Sequence, residues 1–413
     1  MKNGSIQKTI LLLQNIFKEL DIQVSLEKIE QIAIMVHKAM TLQARNYHTL
    51  DHVFSLIDNN PLQNLAAIYH DIVYYQVDRF LIPEINALIS PYVTILDENH
   101  FLISPDHPND RTLNLVLDVF DYHPGQTITP QEGSNEFLSA LVMGKNLEGI
   151  LSDKYIVIGS ACIESTIPFR GEKQQNHPID LENRLWMICE KRNISISSEE
   201  IYSGIASAVQ LANKDVGGFC VSDPALFLND TWKLLPETNI SLRVREYYSV
   251  KEYRSAIQKM EAFFCFLKPE YIFQTYRNEP SFEQLNEMMR AAAKNIDTAR
   301  LYLGIKLVGI ACIEAIADLT GGDAPISLFM GEIEEINGHA RIEDYLPAIN
   351  NPEWLDTSSP VFQLLEYGRT DHTDFDMKNS PLSSYLYKGL GLEKINRLLA
   401  MAKLMFSGKI TPN

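Results

Sequence analysis

Arg45-Asn46-Tyr47-His48-Thr49-Leu50-Asp51-His52 and, beyond an Asn59-Asn60-Pro61 break, Ala66-Ala67-Ile68-Tyr69-His70-Asp71 decide how this chain is read. His48 and His52 are four residues apart, so a helical segment places them on one face. Asn59-Asn60-Pro61 ends that helix, and Pro61 suits the first position of the next one. The second helix turns Leu62, Leu65, Ala66, Tyr69 and Val73 towards a core. His52 lies eight residues before the turn and His70 about ten after it. At ~1.5 Å rise per residue, their heights along an antiparallel hairpin differ by only ~3 Å. The two imidazoles and the adjacent Asp71 carboxylate then converge on one point, which is what a divalent cation needs. One histidine on an apolar face reads as a hydrogen-bonded core residue. Three at this spacing, beside an Asp, read as a metal site.

A fourth ligand has to come from elsewhere, and Asp215 in Leu211-Ala212-Asn213-Lys214-Asp215-Val216-Gly217-Gly218 is the candidate. It continues the stripe of Ile201, Ile205, Ala208 and Ala212, so it points inward. It also sits near a helix C-terminus, where the macrodipole disfavours a carboxylate. Two readings stand at this point. A metal compensates the buried acid, or Asp215 only bonds the backbone around the Gly217-Gly218 turn.

The 3.6-residue period extends over most of the chain. Ile10, Leu13, Ile16, Phe17 and Leu20 form a first amphipathic helix. Ile29, Ile32, Val36 and Met40 follow an N-cap at Ser25. Helix starts are written at Thr129-Pro130-Gln131-Glu132, at Ser197 with Glu200, at Ser249 with Glu252 and at Ser281 with Gln284. The last opens a long stripe from Leu285 to Leu303. Residues 154–158 and 240–244 are the two alternating runs that tempt a strand assignment. The expected class is all-α. Residues 91–108 and 122–125, rich in Pro, His and Asp, read as a surface excursion. Residues 236–239 read as the junction between an N-terminal part, 1–235, and a C-terminal helical part, 236–413.

The 413 residues carry 36 Lys and Arg against 53 Asp and Glu, a formal charge of −17. Long nucleic acid and an anionic membrane surface both require a cationic face and are not the expected partners. A small phosphorylated substrate remains open, because a metal or a few Arg can hold it. The five cysteines are dispersed without a C-x-x-C pair, which fits a reducing compartment, so the expectation is cytoplasmic. Ile10 to Leu13 is too short to span a bilayer. A homo-oligomer stays open.

At the His48, His52 and His70-Asp71 positions the sequence resembles the HD-domain superfamily of metal-dependent phosphohydrolases. Tyr47-His48 with His52 is similar to the Tyr-His-Asn-x-x-His of cyclic-nucleotide phosphodiesterases, with Thr49 in place of Asn. The resemblance covers about residues 40–220. It implies an HD-type helical core; the additional C-terminal helical region, read from the helical period, lies outside it. It implies His52, His70, Asp71 and Asp215 as metal ligands, with Asp71 also counted as catalytic. His48 becomes the catalytic acid that protonates a leaving oxygen or steadies a phosphate. Arg45, three residues before His48 as in many bacterial members, becomes a substrate contact. Soft thiolates are absent from this set, so Mn, Mg or Fe is favoured, with Zn, Co and Ni allowed. The implied activity is hydrolysis of a nucleotide or other small phosphate ester. The rivals are an HD-fold iron-dependent oxygenase and a non-catalytic binding protein with a structural metal site. Phosphodiesterases carry a further His where this chain has Tyr74, and 144 residues separate Asp71 from Asp215, more than in compact members.

Outside the resemblance, Arg170 follows a Pro break after Glu164 and reads either as a phosphate contact or as a surface Arg. Asp78 and Arg79 read as supporting groups or a solvated end. Asp371-His372-Thr373-Asp374-Phe375-Asp376 reads first as a flexible acidic loop and second as a cation site.

Overall fold

The computed structural model describes residues 4–106, 109–243, 248–330, 342–373 and 375–411. It is mostly all-α, as the periodicity requires, with one small sheet. The chain folds as two compact units, residues 1–217 with 269–289, and residues 218–268 with 290–413.

The first unit opens with α1 (Ser5–Glu19), α2 (Leu26–Met40), α3 (Leu50–Leu56) and α4 (Pro61–Tyr69). Ser25 caps α2 by accepting from the Lys28 amide, and Asn60 caps α4 by accepting from the Leu62 and Gln63 amides. Short helices α5 (Tyr75–Asp78) and α6 (Pro83–Ile89) lead into β1 (Val93–Ile95), β2 (Phe101–Ile103) and, past α7 (Arg111–Phe120), β3 (Thr127–Ile128). These strands form an antiparallel sheet in the order β1-β2-β3, with Val93 opposite Ile103 and Phe101 opposite Ile128. The expected surface excursion is therefore partly structured, and Phe101, Ile103 and Ile128 are buried. Residues 107–108 of it lie outside the described residues.

Next come α8 (Ser134–Asn146), α9 (Asp153–Ser165), α10 (His177–Arg192) and α11 (Ser198–Asp215). α9 is apolar or small on all sides and is accordingly buried from Ile156 to Ser165. It contacts α4, α7, α8 and α11 and forms the centre of the unit. Gly204 lets α11 approach it, since a Cβ there would lie 3.0 Å from Ile158 Cγ2. Residues 154–158 are helical, and residues 240–243 form a 3-10 turn; Val244 lies outside the described residues.

The second unit holds α12 (Pro224–Thr238), α13 (Val250–Phe266), most of α14 (Phe282–Thr320), α15 (Ser327–Met330), α16 (Pro360–Glu366) and α17 (Pro381–Phe406). Ser197 and Ser249 head α11 and α13 with complete capping boxes, as their sequences require. Pro236, at the expected junction, lies inside α12. Trp232, Tyr253, Tyr302 and Phe362 fill this unit's core. α17 is broken at Gly391, whose φ of 74° lies in the left-handed region. Among the described residues no helix is long and apolar enough to cross a membrane.

Candidate metal centre

Each ligand is placed by a feature written in the local sequence. α4 starts where Asn60 and Pro61 dictate and ends at Tyr69, leaving His70 as its C-cap with Asp71 next. Arg45 anchors the chain just past this end, donating from Nη1 to Asp71 O at 2.7 Å and from Nη2 to Ile72 O at 3.4 Å. Its Nε and Nη2 also bond Asp78, the closest contact being 2.6 Å. The Arg45 side chain is fully buried. The expectation that Arg45 meets substrate is therefore replaced: its donors are used inside the protein, and it positions the His70-Asp71 turn. Asp78 is its buried counter-ion rather than a solvated end. Arg79 pairs instead with Glu98.

On the other side, α8 fixes the chain after Asp71. Ser139 Oγ accepts from the Val73 amide at 3.1 Å, and Asn135 Oδ1 accepts from the Tyr75 amide at 3.2 Å.

α11 is docked onto the α3–α4 turn by side chains. Lys214 Nζ donates to Asp58 at 2.7 Å, Gln210 donates to the same carboxylate at 2.6 Å, and Asn60 donates to Ser207 Oγ at 2.8 Å. The Lys214 bond leads the effects that lower the Asp58 pKa. Asn213 clamps the returning segment, exchanging two 2.8 Å bonds with the backbone of Gln274. This docking delivers Asp215, the last residue of α11, to the histidines.

His52, His70, Asp71 and Asp215 each offer one ligand atom, and these atoms all lie within 4.8 Å of one another. His52 Nε2 lies 2.9 Å from Asp215 Oδ1 and 3.8 Å from Asp71 Oδ2. His70 Nε2 lies 3.0 Å from Asp71 Oδ2 and 3.3 Å from Asp215 Oδ1. Ligands bound to one ion at about 2.0–2.2 Å stand roughly 3 Å apart when adjacent, so the set fits one divalent cation. Two buried atoms support that fit. His70 Nε2 and Asp71 Oδ2 make no hydrogen bond in the protein. The 2.8 Å contact of His70 Nδ1 with Ala67 O places the ring proton on Nδ1. That leaves the Nε2 lone pair facing the carboxylates. Among the described residues no other group of this kind occurs. Asp215 thus faces the histidines.

The electrostatics call for a positive charge at this point. Burial opposes a proton on His70, but Asp71 and Asp215 outweigh it and push its pKa well above the ordinary histidine value. Burial likewise opposes ionisation of both acids. The histidines overcome it, lowering Asp71 strongly and Asp215 to about 2.

His48 is not on α3 with His52; it lies just before the Thr49 N-cap. Its ring stands edge-on to Tyr74 at 4.5 Å and 6.1 Å from the His52 ring. It is near enough to help lower Asp71. Arg170 is no surface residue: its side chain is 17 % exposed, with Nη1 3.2 Å from Glu164. His177 also binds Glu164, at 2.7 Å.

Glu136, on the first turn of α8, was not marked by the sequence. Its Oε2 is buried without a hydrogen-bond partner. Burial, with Asp71 and Asp215 adding to it, pushes its pKa up to about 7. An acid at a helix start reads as an ordinary partner of the dipole, so only the tertiary fold reveals its setting. Comparison of the chain with protein-family models, with curated proteins and with solved structures finds no match.

Proposed function

We propose that this chain is a metal-dependent phosphohydrolase of the HD type, acting on a nucleotide or another small phosphate ester. One observation carries the reading: two imidazole nitrogens and two carboxylates from α3, the end of α4 and α11 meet within bonding distance of a single ion. A divalent ion bound there brings the pKa of a coordinated water towards neutrality and offsets charge on a phosphoryl group. Mn, Mg or Fe suits the mixed nitrogen and oxygen set best, and Zn, Co and Ni also accept it.

The remaining steps belong to the protein. His70, its Nδ1 proton held by Ala67 O, presents Nε2 in a fixed orientation. Arg45 locks the turn that aims Asp71. His48, braced by Tyr74 beside the cluster, delivers a proton to the leaving oxygen. Glu136, its buried Oε2 without a hydrogen-bond partner and its pKa raised in the metal-free protein, is the group we assign to take the proton of the attacking water. Arg170 adds positive charge on the Glu136 side.

The test is elemental analysis of the purified protein, then a screen of phosphomonoesters and phosphodiesters with added Mn or Mg. Hydrolysis that depends on the metal is expected, and D71A should lose both bound metal and at least a hundredfold in turnover. Full activity in D71A, or a metal-loaded protein inert across the panel, removes the assignment.

A further inference from the structure

We infer that Gln274 is a positioning residue for the proposed reaction: through His177 and Glu164 its side chain sets the guanidinium of Arg170 beside the metal centre, where Arg170 takes a phosphoryl oxygen. The inference rests on the phosphohydrolase reading and deepens it. Gln274 belongs to the returning segment of the first unit, residues 269–289. It is 1 % exposed, and Ile272, Phe273 and Tyr276 are buried with it. An amide that deep needs partners for its polar atoms. Nε2 donates to Ser165 O at 3.1 Å, at the end of α9. This turns Oε1 to His177 Nδ1, at 3.3 Å. The other ring nitrogen, His177 Nε2, lies 2.7 Å from Glu164 Oε2. His177 is the first residue of α10, so one side chain ties the returning segment to both α9 and α10.

Glu164 is 2 % exposed and stands in the last turn of α9, where the macrodipole disfavours its charge. Burial also opposes its ionisation, but Arg170, His177 and Arg184 prevail and hold its carboxyl down to about 2. A buried acid need not serve a site. Asp376 of the second unit accepts from Trp232 Nε1 and Tyr253 OH at 2.7 Å each, and is a structural hub rather than part of a flexible acidic loop; Asp374 lies outside the described residues. Glu164 differs in what it holds. Its Oε1 lies 3.2 Å from Arg170 Nη1, and its backbone carbonyl accepts from Arg170 Nη2. Two contacts fix the plane of the guanidinium. Arg170 keeps part of its side chain open, and its charge acts on Glu136, as do the charges of Asp71 and Asp215. A guanidinium fixed in that neighbourhood is a ready partner for phosphate. Gln274 thus has two arms: its backbone clamps Asn213 near Asp215, and its side chain leads to Arg170.

Calorimetric titration of the Mn-loaded full chain with inorganic phosphate tests this, beside hydrolysis kinetics. Q274M keeps the volume and the backbone bonds to Asn213 and removes both side-chain bonds. It should bind phosphate about fivefold more weakly. KM should rise by a similar factor with kcat within about twofold, and Mn should bind as tightly as in the parent. R170Q should show the same loss, and Q274M should add nothing in that background. H177Q breaks the same path one residue further on and should repeat the result, which leaves a decisive variant if Q274M does not fold. Y276F loosens the segment elsewhere, by removing the 2.6 Å bond to Glu182, and should leave phosphate affinity unchanged. Additive losses with R170Q, an unchanged affinity in Q274M or H177Q, or an equal loss in Y276F overturns the inference, as does a Mn-loaded parent without saturable phosphate binding. A parent that binds phosphate and hydrolyses nothing removes the phosphohydrolase reading instead, and the titrations still decide whether Gln274 acts through Arg170.

Discussion

Glu136 is a residue whose setting departs sharply from its surface-exposed chemistry. A carboxyl pushed from its ordinary 4.5 up to about 7 is one whose neutral form the fold prefers. The sign follows by linkage. Its favourable contribution is complete below the unfolded value and is lost as pH rises through the folded one. At pH 8 the metal-free protein therefore carries a penalty of up to ~3 kcal/mol, from ~1.4 kcal/mol per unit. E136Q removes the charge. Its melting temperature should exceed the parent's at pH 8 and match it near pH 4. Scanning fluorimetry across that range checks this, and the same gain at both ends would contradict the burial of an ionised Glu136. His70 shows the opposite case. Its position and its neighbour were legible from hairpin spacing alone, because two helices joined at Asn60-Pro61 leave little freedom in where the rings stand.

At the scale of the element, α11 explains how a residue distant in sequence reaches the hairpin. Asp58, Asn60 and Asn213 hold this helix from two sides. Asn213 matters most, because both its bonds go to the backbone of Gln274 and the group is buried. N213A should destabilise the first unit by about 2–4 kcal/mol, two lost bonds with orphaned backbone groups. It should also weaken metal binding severalfold, by loosening the helix end that carries Asp215. Denaturant titration with and without Mn measures both effects; a stability loss with unchanged Mn affinity would separate the clamp from the ligand. The sequence disclosed α11 itself, through its capping box and its apolar stripe. It did not disclose Asn213, because an Asn near a helix end is common and its partner lies 61 residues away. The sheet was hidden for another reason. Strands of two or three residues are too short for a period of two to register. Arg45 was misread because its spacing from His48 is visible and its burial is not.

At the scale of the molecule, the metal and the proton compete for one place. In the metal-free protein the raised His70 contributes stability that is full below the ordinary histidine value and lost as pH climbs through its folded value. The lowered Asp71 and Asp215 contribute above the ordinary carboxylate range, and lose it as pH falls through their folded values. A metal ion needs His70 neutral, so its affinity should rise with pH and binding should release a proton. The upward shift in melting temperature caused by Mn should therefore be larger at pH 8 than at pH 6. Saturation at a hundred times the dissociation constant adds about 2.7 kcal/mol, and a chelator reverses it. A shift independent of pH would mean that the ion binds elsewhere.

The first unit also takes residues 269–289 from beyond part of the second. A nascent chain emerging from the ribosome has released all four ligands by residue 215, yet the strap that secures Asn213 is still unsynthesised. Any expression fragment stopped between those two points keeps the whole ligand set and lacks its fastening.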